Sequence, residues 1–312
     1  MIEFYSSQST VTDPGELRRW IDAVPADLTS IREAAARLVF HYWAYGDITG
    51  HGIAADRIGE INLRYADALL ARVRELRSDS PLARRAPAER VVGCCRDHTV
   101  IFLAIARHHG FAARARYGFA DYLVPGWWLD HMIPEVWDPA EGRWRLVEPE
   151  FEEGYTPPGE TRPLPLTDMP RDRFLTGASA WRLCRDGRAD PERFVVAPGA
   201  ERPSLRSWPY LVHNVVFDLT AMNKQEMISW DLWGMLDSPQ PPGEATFPLA
   251  DELAALLEDP ALTTERLRAA YDDPALRVPP VIATYSPPDH HREQVTLRVG
   301  TQASRLLDRL TG

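Results

Sequence analysis

Val91-Val-Gly-Cys-Cys-Arg-Asp-His-Thr-Val-Ile-Phe-Leu103 is the stretch on which the reading of this 312-residue chain turns. It places two of the chain's three cysteines side by side, immediately before an apolar run. Positions 100–106 are apolar around the whole circumference of a helix, so residues 95–109 are expected to form a helix buried on several sides. Gly110 is a natural stop, and His108 and His109 fall in the last turn, where the helix dipole favours positive charge. At the other end, free backbone N–H groups and a partial positive charge should stabilise a thiolate and lower a cysteine's pKa. Cys94 and Cys95 both lie near that end. Successive helical residues point about 100° apart, so at most one of them faces a given cleft.

A cysteine nucleophile needs a base, and the segment that follows offers one. Residues 113–119 alternate like a strand, and 132–137 and 143–148 flank Asp-Pro-Ala-Glu-Gly, a turn-forming sequence, so a hairpin is expected. Pro134 suggests an edge strand or a bulge. If the turn centres near Pro139 and Ala140, His131 faces Glu148 across the strands with β-carbons roughly 5 Å apart. An imidazole oriented by a carboxylate is the base half of a cysteine triad. Asp138 is a poorer orienter because it lies at the far end of the hairpin. A register slip of one residue would turn Glu148 to the opposite face. A buried structural cysteine and an unrelated surface histidine are the simpler alternative.

Around this centre, residues 27–43 read as a helix capped by Asp27 or Thr29, and residues 61–76 as a second helix. The Pro-rich segment 156–170 reads as a surface loop. Residues 210–235 have helical apolar spacing, and 249–273 read as two helices broken at Asp259-Pro260. His213, Asn214, Asp218, Asn223 and Glu226 sit among apolar neighbours, where they could line a cleft or tie helices together. Cys184 reads as apolar filler.

The composition, 45% hydrophobic and 26% charged, is that of a soluble globular protein. A formal net charge of -10 disfavours nucleic acid and anionic membranes as partners. The basic run at 83–90 reads as a solvated face. No signal peptide or membrane-length apolar run is evident, so a cytoplasmic location is expected. Three cysteines make a poor disulfide framework, and the thiols are expected free. A zinc site using Cys95, His98 and either Cys94 or His131 lacks a second ligand pair. Asp289-His-His lacks the acidic ligands a metal-dependent phosphoesterase would need, and reads as surface loop.

Gly93-Cys-Cys-Arg-Asp-His, Ala106-Arg-His-His-Gly-Phe-Ala-Ala-Arg, His131-Met-Ile-Pro-Glu-Val-Trp and Trp144-Arg-Leu-Val-Glu-Pro together resemble the transglutaminase-like superfamily, a branch of the papain-like cysteine proteinase fold, over about residues 31–150. The resemblance implies an α+β core in which a helix bearing the cysteine packs on an antiparallel sheet. It implies Cys95 as nucleophile, His131 as base and Glu148 as orienting carboxylate, and so selects Cys95 over Cys94. Glu148 stands where the family usually has Asp, and Ile133 where it usually has an aromatic.

The resulting expectation is an arm at 1–27, a transglutaminase-like catalytic core at 28–155, and a mostly helical extension at 156–312 packed on the core. The expected chemistry is acyl transfer from an amide or thioester through a thioester acyl-enzyme, with hydrolysis of amidase or peptidase type ahead of amide formation with an amine. A non-catalytic binding or scaffold module is the third reading. The expected partner is a small-molecule or peptide acyl substrate, with no nucleic acid or membrane, and no cofactor is implied. The second oxyanion donor is unassigned: Trp127, Trp128 and Tyr65 are candidates, each more simply a packing aromatic.

Overall fold

The computed structural model describes residues 1–288 and 290–298. In chain order the helices are α1 (Ile2–Tyr5), α2 (Arg18–Ile21), α3 (Leu28–Leu38), α4 (Ala66–Leu76), α5 (Cys95–His108), α6 (Gly177–Arg185), α7 (Ser207–Met222), α8 (Phe247–Leu257) and α9 (Thr264–Tyr271). The strands are β1 (Val39–His41), β2 (Val91–Gly93), β3 (Ala113–Ala120), β4 (Trp128–Asp138), β5 (Arg143–Leu146), β6 (Phe174–Thr176), β7 (Phe194–Val195), β8 (Asp231–Leu232), β9 (Val281–Ser286) and β10 (His291–Thr296). Strands β5-β4-β3-β6 form an antiparallel sheet, with β7 parallel to β4. The fold class is thus α+β, a cysteine-bearing helix on an antiparallel sheet.

Every residue of α5 from Cys95 to Arg107 is buried, as its all-round apolar pattern requires. One face of the sheet contributes Ala113, Ala115, Tyr117, Met132 and Val136 to the same core as α5. The opposite face carries Ile133 and Leu146 into a smaller cluster with Leu164, Leu166, Met169 and Phe174. The loop at 156–170 is therefore more than a surface connection. Its Leu164, Leu166 and Met169 turn inward because the exposed side of the sheet would otherwise face water.

Several sequence expectations are corrected by contacts from distant parts of the chain. The helix expected over 27–43 stops at Leu38, and residues 39–41 run straight into a strand paired parallel with β2. The helix expected from 61 begins at Ala66, because the carbonyls of Leu63 and Arg64 accept from the Arg96 guanidinium instead of from the next turn. The helix expected over 210–235 ends at Met222, where Lys224 adopts a left-handed φ of 63° and sends its ammonium to the carbonyls of Phe4 and Ser7. The basic run at 83–90 is not a solvated face throughout. Arg85 is buried, and its guanidinium donates to the carbonyls of Arg77, Asp79, Ser80 and Ala83.

The hairpin forms with a different register. Glu135 pairs with Leu146 and Asp138 with Arg143, two residues from the expected alignment. Pro134 is not on an edge strand, since β4 lies between β3 and β5. Its carbonyl accepts from Val147 in the last rung on the β5 side, and having no N–H it can offer no further rung there. Beyond Leu146 the chain leaves the ladder, free to bring Glu148 under β4. Residues 1–27 are wound against the main core, with Tyr5 fully buried and its hydroxyl donating to the Met222 carbonyl at 2.8 Å. The 156–298 portion adds β6 and β7 to the central sheet and forms a separate sheet of order β10-β9-β8.

Candidate active site

The adjacent cysteines have separate places. Cys94 is the extended residue that ends β2, and Cys95 is the first residue of α5. The Cys94 N–H donates to Asp97 Oδ2 at 2.9 Å, which folds the carboxylate of the first turn back over the helix end. A β-carbon on Gly93 would sit 2.6 Å from that same oxygen, so only glycine fits there. Asp97 is in turn paired with Arg96 at 2.9 Å, and both are buried. The Cys95 N–H is one of the first-turn donors that the helix itself cannot satisfy.

Strand β4 carries the base. Thr99, one turn along α5 from Cys95, donates its hydroxyl to the Met132 carbonyl at 2.7 Å and so fixes the helix against the residue next to His131. His131 Nε2 meets Glu148 Oε2 at 2.9 Å, both side chains being buried. The contact is not a ladder pair: β5 ends at Leu146, and Glu148 meets His131 after the chain has left the strand. Glu148 accepts twice more, from the Tyr122 hydroxyl at 2.5 Å and, through Oε1, from the Glu150 N–H at 2.9 Å. A carboxylate only accepts, so the ring hydrogen lies on Nε2, and Nδ1 keeps the lone pair that can take a proton. Gly118 pairs directly with His131, and a β-carbon there would strike the Leu175 carbonyl.

The electrostatics correct one expectation. The Cys95 thiol is pushed up, not down: its hydrogen bond with Cys94 comes first, burial second, then charge repulsion from Cys94, Asp130 and Glu150. Burial alone would discharge His131, but Glu148, by charge and hydrogen bond, with Glu150 and Asp130, raises it above its ordinary value. Burial lifts Asp130 to about 6 against hydrogen bonding by Tyr210, and lifts Glu150 to about 8 with the help of the Glu148 charge. At neutral pH Cys95 is therefore held as a thiol, and burial favours the neutral form of Glu150.

Residues 60–149 match the transglutaminase-like superfamily. This segment is a transglutaminase-like core. No curated protein matches the chain. One solved structure, a candidate cysteine protease of Cytophaga hutchinsonii, is similar at 14% identity over 56% of this chain and 45% of that one, with a TM-score of 0.34. The alignment thus spans less than half of that protein, and a likeness at this level carries no argument here.

Within the transglutaminase-like core and around it, the other singled-out residues have structural partners. Asp138 closes the hairpin turn through the N–H groups of Ala140 and Glu141. Trp128 stacks on Phe194, the Arg193 guanidinium lies over Trp127, and Tyr65 lies beneath Arg298. His98 Nδ1 bonds the Ala35 carbonyl at 3.0 Å. Asp218 pairs with Arg116, Glu226 with Arg107, and Asn214 and Asn223 bond back one turn, while His213 stacks on Phe217. Of these, Asp218 ties α7 to β3, and Glu226 ties the segment after α7 to α5. Cys184 is buried in the main core, and Asp289 lies outside the described residues. Sequence reasoning missed Tyr122, Asp130 and Glu150. Asp130 and Glu150 stand one and two residues from His131 and Glu148, a proximity that was available as a signal; Tyr122, on the loop after β3, had none.

Proposed function

We propose that this protein is a cysteine-dependent acyl-transfer enzyme that cleaves an amide or thioester, with water as the usual acceptor. The observation that supports it most is the His131–Glu148 pair, held one residue from the Thr99 tie to the helix that begins with Cys95. His131 Nδ1 takes the Cys95 proton as sulfur attacks the carbonyl carbon, because a raised thiol pKa leaves little free thiolate. The imidazolium, stabilised by Glu148, then gives that proton to the departing amine or thiol, and a thioester to Cys95 remains. Water, deprotonated by the same ring, opens the thioester and returns the thiol.

Asp130 favours a second outcome. Its charge bears on Cys95 and, lifted to about 6, it is ionised at neutral pH, where it would attract a cationic amine that resolves the thioester to an amide. The test uses p-nitrophenyl acetate as a generic acyl donor. We expect a burst of nitrophenolate with acetyl mapped to the Cys95 peptide, and no burst for Cys95→Ala. An undiminished burst in that variant would overturn the reading. Adding a diamine measures the partition between water and amine.

A further inference from the structure

Cys94 has no part in the reaction described above, yet one peptide bond joins it to Cys95. It stands at the N-cap of α5, a place where serine, threonine, aspartate or asparagine serves the free N–H groups better than a thiol does. All three cysteines are free thiols. Cys184 is on α6, which packs on α7, α8 and β3, so Cys94 is the thiol within reach of an oxidised Cys95. A thiol that meets an acyl carbonyl also meets small oxidants. Without a neighbouring thiol its oxidation runs on to sulfinic acid, which thiol reductants do not reverse.

Resting on the reading of Cys95 as nucleophile and His131 as its base, we propose that Cys94 is the resolving thiol of Cys95, and that a hydroperoxide converts the pair to a reversible disulfide that switches the site off. The Cys95 sulfur attacks one peroxide oxygen, the O–O bond breaks, and the thiol proton passes through His131 to the departing oxygen. With hydrogen peroxide this gives Cys95 sulfenic acid and water. The Cys94 sulfur then attacks the Cys95 sulfur, the S–O bond breaks, and hydroxide leaves with the Cys94 proton as a second water. The two thiols have given two electrons to the peroxide, and no sulfur is left free to take an acyl group. Adjacent α-carbons lie about 3.8 Å apart across a trans peptide, under the roughly 4.4 Å of an unstrained disulfide, so this ring is strained and readily reduced. Closing it also draws Cys95 out of the first turn, where the Asp97 and His98 N–H groups donate to the Cys94 carbonyl at 2.9 and 3.3 Å.

The experiment treats the full chain with hydrogen peroxide in the absence of reductant. It reads intact mass and, in denaturant, iodoacetamide labelling of each cysteine peptide before and after dithiothreitol. Wild type should lose two hydrogens within one chain and lose labelling of Cys94 and Cys95 at least about tenfold, with recovery in dithiothreitol and Cys184 labelled throughout. Cys94→Ser should instead gain oxygen at Cys95, first as a sulfenic acid that dimedone traps and then as a product that dithiothreitol does not restore. Recovery of Cys94→Ser as complete as that of wild type would overturn the proposal. So would a wild-type chain that gains only oxygen or does not react, or a disulfide made to Cys184 or between two chains. No acyl substrate enters these measurements, so a failure of the acyl-transfer reading shows itself separately, as the absence of a nitrophenolate burst in untreated wild type.

Discussion

The pH behaviour of the site follows from three side chains. His131 must be unprotonated to act, and Glu148 holds it above its ordinary 6.5, so activity should rise with pH through that raised value. Tyr122 tunes this limb. Its hydroxyl draws charge from Glu148, so Tyr122→Phe should leave Glu148 a stronger acceptor and move the acid limb of the kcat/KM profile to higher pH. An unmoved limb would mean that Tyr122 only packs. Glu148→Gln should lower kcat about 10³–10⁴-fold, as loss of a triad carboxylate does when the base is left in the wrong tautomer.

At the level of elements, the sheet and its helices are joined by buried ion pairs. Glu135 of β4 accepts from Arg114 and Arg116 of β3 and from Arg171, while Arg116 also pairs with Asp218 of α7 at 2.7 Å. Asp218 Oδ1 accepts the Tyr117 N–H, so α7 covers an edge group of β3. Asp218→Ala should cost about 3–5 kcal/mol in denaturant unfolding, because it leaves Arg116 buried and underpaired. The three arginines outweigh burial and hold Glu135 well below the ordinary carboxylate range. Its contribution is therefore present above the unfolded value of about 4.3 and is lost as pH falls below it. The elements legible in the sequence were those with strong local periodicity: α5, β3 and the hairpin. The His131–Glu148 contact was read from a ladder pairing that does not form; it is made instead after the chain leaves β5 at Leu146. The ends of α3, α4 and α7 were not legible, since they are set by β2, Arg96 and Lys224, partners far away in sequence.

Across the whole molecule, residues 1–12 are fastened to the helix of the nucleophile. Glu226 accepts from Arg107 of α5 and from Ser9, and Arg107 also reaches Thr12. Lys224, the single lysine in the sequence, donates to Phe4 and Ser7 carbonyls at 2.9 and 2.7 Å. Lys224→Met should cost about 2 kcal/mol and speed amide exchange in residues 1–8. In the native protein this amine should resist N-hydroxysuccinimide esters until denaturant opens the segment. No helix among the described residues is long and apolar enough to cross a membrane. Within that frame Cys95 is only 8% exposed. The most direct test of the central claim, that His131 activates Cys95, is the rate of iodoacetamide alkylation of each cysteine against pH, in the full chain and in His131→Ala. The account expects Cys95 to outpace Cys94 and Cys184, with a rate that climbs through neutral pH and drops at least about tenfold in the variant. Alkylation of Cys95 no faster than Cys184 and indifferent to His131 would contradict it.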